Sequence, residues 1–317
     1  MLAKLCLTVA LLSLSKADIQ GPFTQDFLNF LGGEARYADL PRTDLGTFGS
    51  FGGKSSPDQQ ITRQPVVFVH GNSDLALKRD NSKYATGWNA VTNHYLSQGY
   101  TLAELYASTW GDPSGTPTAK AHTCAHMMPV RLMLDATLGY TGAEKIDVVT
   151  HSMGVTLARK AIRGGMVTDS EGATCDLGPP LNDRIDTFLG MAGGNYGLCN
   201  CQFTTVLGTC NKDDGFFPGS RCGSSTLCIN TLSPCMQTGY SNLFEAMNDD
   251  GLKEGDFSFS FFSNNDEILG QGSKAWGQPT ARIPLEDGQK VFSGLQHMDV
   301  KDGTGAEQLE AIVNHQV

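Results

Sequence analysis

Serine, aspartate and histidine follow one another along this chain in an order that suits attack on a carbonyl carbon. The stretch Ile146-Asp147-Val148-Val149-Thr150-His151-Ser152-Met153-Gly154-Val155 runs a β-branched strand into a serine and then directly into helix-forming sequence. A turn that sharp lifts the Ser152 hydroxyl above the edge of a sheet and sets it at the positive end of the new helix. Gly154 belongs two residues later because strand and helix meet there too closely for a side chain. Thr150 stands where the usual Gly-x-Ser-x-Gly pattern has its first glycine, and its branched side chain costs room at the tightest point. Taken alone, the serine would serve equally well as a helix cap. Chemistry requires partners.

A serine hydroxyl needs a base to take its proton, and this geometry asks for the chain order serine, acid, histidine. Of the seven histidines, His70, His94, His122 and His126 precede Ser152. His151 is its neighbour, expected to turn its ring away, and His315 falls in a terminal helix. His297 remains. Asp266 follows the run Phe257–Phe262 closely, which places a carboxylate just past a strand end, with Glu267 as the fallback and Asp299 too near His297 in sequence to orient it. The oxyanion of a tetrahedral intermediate would then be met by the backbone N–H groups of Met153 and Asn72, the latter allowed close by Gly71. His122 and His126 have metal-ligand spacing, but no acid adjoins them and a packed or exposed helix face explains them better.

The elements that must position these residues are legible as alternation. Val66–Val69 and Lys145–Thr150 read as strands buried on both faces, and Leu102–Ala107, Arg184–Met191, Asp256–Phe262 and Val291–Gly294 as further strands. Helices are expected at Trp88–Leu96, Ala119–Leu138, Met153–Arg163 and Gly305–Val313, with Gly164-Gly165 ending the third. Strands alternating with helices imply right-handed crossovers and a mostly parallel sheet covered on both faces. Residues 18–60, rich in Gly, Ser and Asp, read as an irregular entry segment.

The chain has 317 residues and a net charge of −10. Met1–Lys4, apolar Leu5–Leu14 and Ser15-Lys16-Ala17 together have the form of a secretory leader over residues 1–17, too short to span a bilayer, which takes about 20 residues. Its removal takes away Lys4 and Lys16 and no acid, making the remainder still more negative. Such a chain, without a Lys/Arg-rich run, is a poor partner for nucleic acid or anionic lipid. No integral membrane segment follows. Eight of the nine cysteines remain after the leader, an even number that in an exported chain reads as disulfides. Six of these crowd between Cys199 and Cys235, a segment without histidine and without core-forming periodicity, so bridges rather than zinc are expected to close it. The sequence does not choose the pairing. It reads as an insertion on one domain over 18–317.

Pro65-Val66-Val67-Phe68-Val69-His70-Gly71-Asn72, Thr150-His151-Ser152-Met153-Gly154 and Gly294-Leu295-Gln296-His297 together resemble the class 2 lipases, a family that includes small secreted bacterial lipases and nematode lipase-related proteins. The resemblance spans roughly residues 60–317, and the Cys-rich segment at 199–235 looks like the nematode branch. It implies an α/β-hydrolase fold and hydrolysis of acyl esters, lipids foremost, without metal or organic cofactor and with transient contact at a lipid interface. A short-chain esterase, an acyltransferase on the same triad, or an inactive lipid-binding relative are the alternatives.

Overall fold

A computed structural model describes residues 19–219, 222, 239–270, 274–275 and 277–317. The expected leader, Cys228 and Cys235 lie outside the described residues. Chain order runs α1 (Gln25–Leu31), β1 (Ser50–Phe51), β2 (Val66–Val69), α2 (Asn89–Ser97), β3 (Leu105–Ser108), α3 (Cys124–Thr141), β4 (Ile146–His151) and α4 (Met153–Arg163). A hairpin of β5 (Met166–Thr168) and β6 (Thr174–Asp176) leads to β7 (Ile185–Met191), α5 (Asn242–Asp249) and β8 (Phe257–Ser263). A second hairpin, β9 (Lys274–Ala275) and β10 (Gln278–Pro279), precedes β11 (Gly288–Phe292), α6 (His297–Asp302) and α7 (Gly305–Asn314).

Seven strands form one sheet in the order β1-β3-β2-β4-β7-β8-β11. Only β1 is antiparallel, on β3; every other neighbour is parallel. Both β2 and β4 are buried along their whole length, β2 as its unbroken apolar run requires and β4 with Asp147, Thr150 and His151 buried among its apolar residues. Alternation assigns their side chains to two cores. Val67, Val69 and Val148 pack with Leu134 of α3 and Leu157 and Ile162 of α4, while Val66, Phe68 and Val149 pack with Tyr95 of α2, Val300 of α6 and Ile312 of α7. The result is the mostly parallel, twice-covered sheet expected from the alternation, in the α/β-hydrolase arrangement that the resemblance implies.

The entry segment is a correction. It contains α1 and β1, and Phe23, Phe27, Leu31, Tyr37 and Leu40 are buried in the α3–α4 core. Burying such a side chain contributes roughly 1.5–3 kcal/mol, enough to order a helix too short to persist alone. Phe23, Phe27 and Leu31 lie four apart, a helical spacing that the Gly, Ser and Asp content of the segment masked. On α4, Arg159 is fully buried, and it and Arg163 donate to buried Glu254 at 2.7 and 2.8 Å.

Three disulfides fall among the described residues: Cys124–Cys175, Cys199–Cys222 and Cys201–Cys210. The first ties the start of α3 to β6. The other two close the insertion between β7 and α5, where Cys201, Cys210 and Phe216 join the α3–α4 core.

Candidate active site

Ser152 lies at the junction of β4 and α4 with φ 54° and ψ −127°. A non-glycine residue in that region costs on the order of 1–3 kcal/mol and persists only where its surroundings hold it. Here the Ser152 N–H donates to Met191 O at 2.8 Å, and Ser152 O accepts from Val155 N at 3.0 Å. Gly154 is required by β2 rather than by its own strand, since a Cβ there would run into the carbonyl oxygens of Val69 and His70. Gly71 is pressed too, though less tightly, with Ser152 Cβ at 2.8 Å from where its own Cβ would stand. Thr150 is accommodated in a way the motif alone does not reveal. Its register partner on β7 is Gly190, and its hydroxyl donates to Leu189 O at 2.9 Å.

His297 is the first residue of α6, and its Nδ1 bonds Asp266 Oδ2 at 2.8 Å, with both residues buried. Asp266 Oδ1 accepts from the N–H groups of Ile268 and Leu269, both at 2.9 Å, which fixes the carboxylate. The ring nitrogen facing a carboxylate must carry the proton, leaving Nε2 as the free acceptor. Ser152 and His297 line one cavity of about 320 Å³, with Tyr84, Pro117, Ile268 and Met298 among its walls. Among the described residues the Ser152 hydroxyl makes no hydrogen bond.

Of the two expected oxyanion donors, Asn72 lines the same cavity. Met153 N–H is at the open first position of α4, and neither it nor Asn72 N–H bonds another group among the described residues. The Asn72 amide shares its peptide plane with the Gly71 carbonyl, which points the opposite way. That carbonyl is held by His70 Nδ1 at 2.7 Å and by Asp74 N at 3.3 Å. His70 Nε2 accepts from Trp110 N at 3.1 Å, so Nδ1 is the donor. Burial pushes the His70 pKa down to about 4, keeping that tautomer neutral.

His151 departs from expectation. Its ring does not leave the site: it borders the cavity, packs 4.6 Å from the His297 ring, and its Nε2 bonds His297 O at 3.0 Å. Burial, and then the neighbouring His297, hold it far below the usual imidazole range. It is a neutral donor that steadies the backbone of His297, a role adjacency in sequence concealed. Glu267 is not a spare for Asp266. Its Oε2 accepts the His297 N–H at 2.9 Å and its Oε1 meets Lys83 at 3.0 Å. Burial opposes these bonds, but they draw its pKa down to about 2. Asp299 instead accepts from Gln296 N at 2.9 Å and caps α6. Both ring nitrogens of His122 are used inside the protein, on Asp214 O and Thr156 Oγ1, each at 2.6 Å.

Solved structures similar to the chain include a monoacylglycerol lipase from Paleococcus ferrophilus, 15% identical over 84% of this chain and 98% of that one, with a TM-score of 0.46. An α/β hydrolase from the metagenome of lagoon sediments at Mar Chica, Morocco, is 11% identical over 85% and 93% of the two chains, at a TM-score of 0.42. The family model for Lipase (class 2) matches residues 63–310. Because that match covers most of the sequence, the chain belongs to the class 2 lipases, a family of carboxylic ester hydrolases.

Proposed function

We propose that the protein is a secreted serine hydrolase that cleaves carboxylic esters, lipid acyl esters foremost, through an acyl-enzyme on Ser152. His297 Nε2 takes the hydroxyl proton as Ser152 Oγ attacks the ester carbonyl, and later returns it to the leaving alcohol. Asp266 holds the ring and stabilises the imidazolium without accepting the proton. The N–H groups of Met153 and Asn72 receive the oxyanion, each worth about 3–4 kcal/mol if lost. Water, activated by the same imidazole, then releases the acid. The observation that carries this reading is the 2.8 Å His297–Asp266 bond beside Ser152 in one cavity. Nucleophile–base bonds are often loose in unliganded sites and tighten with substrate.

A cavity of about 320 Å³ is at the small end for a ligand site. It favours a single short acyl chain over a long one, which supports the short-chain esterase reading as second choice. The described part of the insertion, residues 199–219, is the natural rim. Asn200 Nδ2 reaches Ile268 O at 3.4 Å, and Gly208 packs on Ala119 too closely for a Cβ. Phe203 and Val206, 76% and 93% exposed, supply apolar contact for a lipid surface. Export is supported by the three disulfides, with a leader over 1–17 and one domain over 18–317.

Labelling with a fluorophosphonate, followed by a chain-length series of p-nitrophenyl esters, tests the reading. Modification at Ser152 and turnover highest on short to medium esters are expected. Failure to label a folded protein, or labelling at another serine, would overturn the assignment.

A further inference from the structure

We infer that the buried ion pair between Lys301 and Asp74 is a positioning device that fixes the imidazole of His297 relative to the oxyanion donor at Asn72. The inference rests on the Ser152–His297 reading above. Asp74 closes the loop after β2, two residues beyond Asn72, and Lys301 lies one helical turn beyond His297 on α6. Lys301 Nζ donates to Asp74 Oδ2 at 2.6 Å and to Gly87 O at 2.6 Å, and sits 5.1 Å from the Trp88 ring centre. Asp302 Oδ1 lies 3.5 Å away. Lys301 is fully buried and Asp74 only 1% exposed. Asp74 Oδ1 also accepts from Leu75 N at 2.9 Å and Gly87 N at 2.8 Å, so one carboxylate pins the loop after β2, the approach to α2, and α6.

Two ions withdrawn from water gain little stability over a well-packed apolar pair, so stability alone gives a weak reason for placing them here. Geometry gives a better one. The base reaches the site from α6 and the oxyanion donor from the loop after β2, which are separate, non-adjacent segments. A charge-assisted bond is short and directional, and it spans the gap between them. Small misplacements of groups that must act together carry large rate penalties. Lys301 and Asp74 touch no reacting atom; they act through His297 and Asn72.

Asp74→Leu and Lys301→Met, made singly and together, separate positioning from folding. Each single variant leaves a lone buried charge and is expected to fold poorly. The double variant removes both charges and is expected to unfold above either single variant but below the parent, because Leu75 N, Gly87 N and Gly87 O lose their partners. Its kcat on a p-nitrophenyl ester should fall by about 10²-fold with KM within about threefold, since transition-state alignment is lost and ground-state binding is not. Its fluorophosphonate labelling should slow in parallel while remaining at Ser152. A folded double variant with kcat within twofold of the parent would overturn the proposal. So would a loss confined to KM. Should the parent itself neither turn over nor label, the failure belongs to the assignment of Ser152 and not to the ion pair.

Discussion

Strand β4 carries a buried polar group at each end, and the two ends are built differently. At its start Asp147, 1% exposed, accepts from Gln64 Nε2 at 2.9 Å and Thr187 N at 3.1 Å. Gln64 bridges onward to Asp186, which also bonds His315 Nε2 at 3.1 Å, so the cluster knits β4, β7 and the end of α7 together. At its finish Ser152 is strained, its hydroxyl is without a partner among the described residues, and it lines a cavity together with Asn72 and His297. Burial and polarity are common to both ends. What sets the site end apart is a strained residue whose hydroxyl is free at a cavity that a ligand can enter, whereas unpaired polar atoms elsewhere, such as Thr187 Oγ1, are closed inside the core.

The sharpest way to break that contrast is at the cavity end. Ser152→Ala and His297→Ala should each lower kcat by at least about 10⁴-fold with little change in unfolding midpoint, and the double variant should be scarcely worse than either. Additive losses in steady-state kinetics would mean that the two do not act as a unit. Next in size, Asp266→Asn should cost about 10²- to 10⁴-fold, because the amide cannot enforce the required ring tautomer. With Glu267 engaged by His297 N and Lys83, no neighbour stands in. A loss below about tenfold would show that the carboxylate is dispensable.

Between the two ends, Thr150→Val removes the hydroxyl bonded to Leu189 O and should destabilise by about 1 kcal/mol in urea titration, with kcat nearly kept. A large kcat loss instead would make Thr150 part of the elbow's shape. The smallest effect is expected at the start of the strand. Burial, and then Asp186, push the Asp147 carboxyl well above the usual range. Such a group binds its proton more tightly when folded, so its stabilising contribution is present at low pH and fades as pH rises through the folded value. Asp147→Asn should therefore gain stability over the parent near pH 8 and lose that advantage near pH 4, with kcat unaffected. An equal shift at both pH values would refute the buried-carboxyl account.

Local pattern made the centre of this molecule legible and left its joins obscure. Strand β4, helix α4 and Gly154 were readable because a buried parallel strand and an amphipathic helix each leave a periodic trace. The contact of His297 with Asp266 was readable because chain order and position after a strand narrow the choice. The packing of Phe23, Phe27 and Tyr37 was not, since the helical spacing of the first two with Leu31 is too brief a trace within a Gly-, Ser- and Asp-rich segment. The six residues of α6 are too few to show one. The place of His151 was misread because adjacency to Ser152 suggested the opposite side of the turn. The Lys301–Asp74 contact joins residues 227 positions apart, a distance at which no sequence pattern speaks.

The two-residue strand β1 has a consequence for how far this enzyme can be trimmed. It pairs with β3 through Ser50 and Phe51, and so shields one margin of the sheet. A chain begun at residue 63, where the family match begins, would lose that shield along with Phe23, Phe27, Leu31, Tyr37 and Leu40. It would carry both a bare strand margin and an uncovered greasy face, the two ingredients of self-association. The smallest autonomous form of this enzyme therefore starts well ahead of the segment its relatives share.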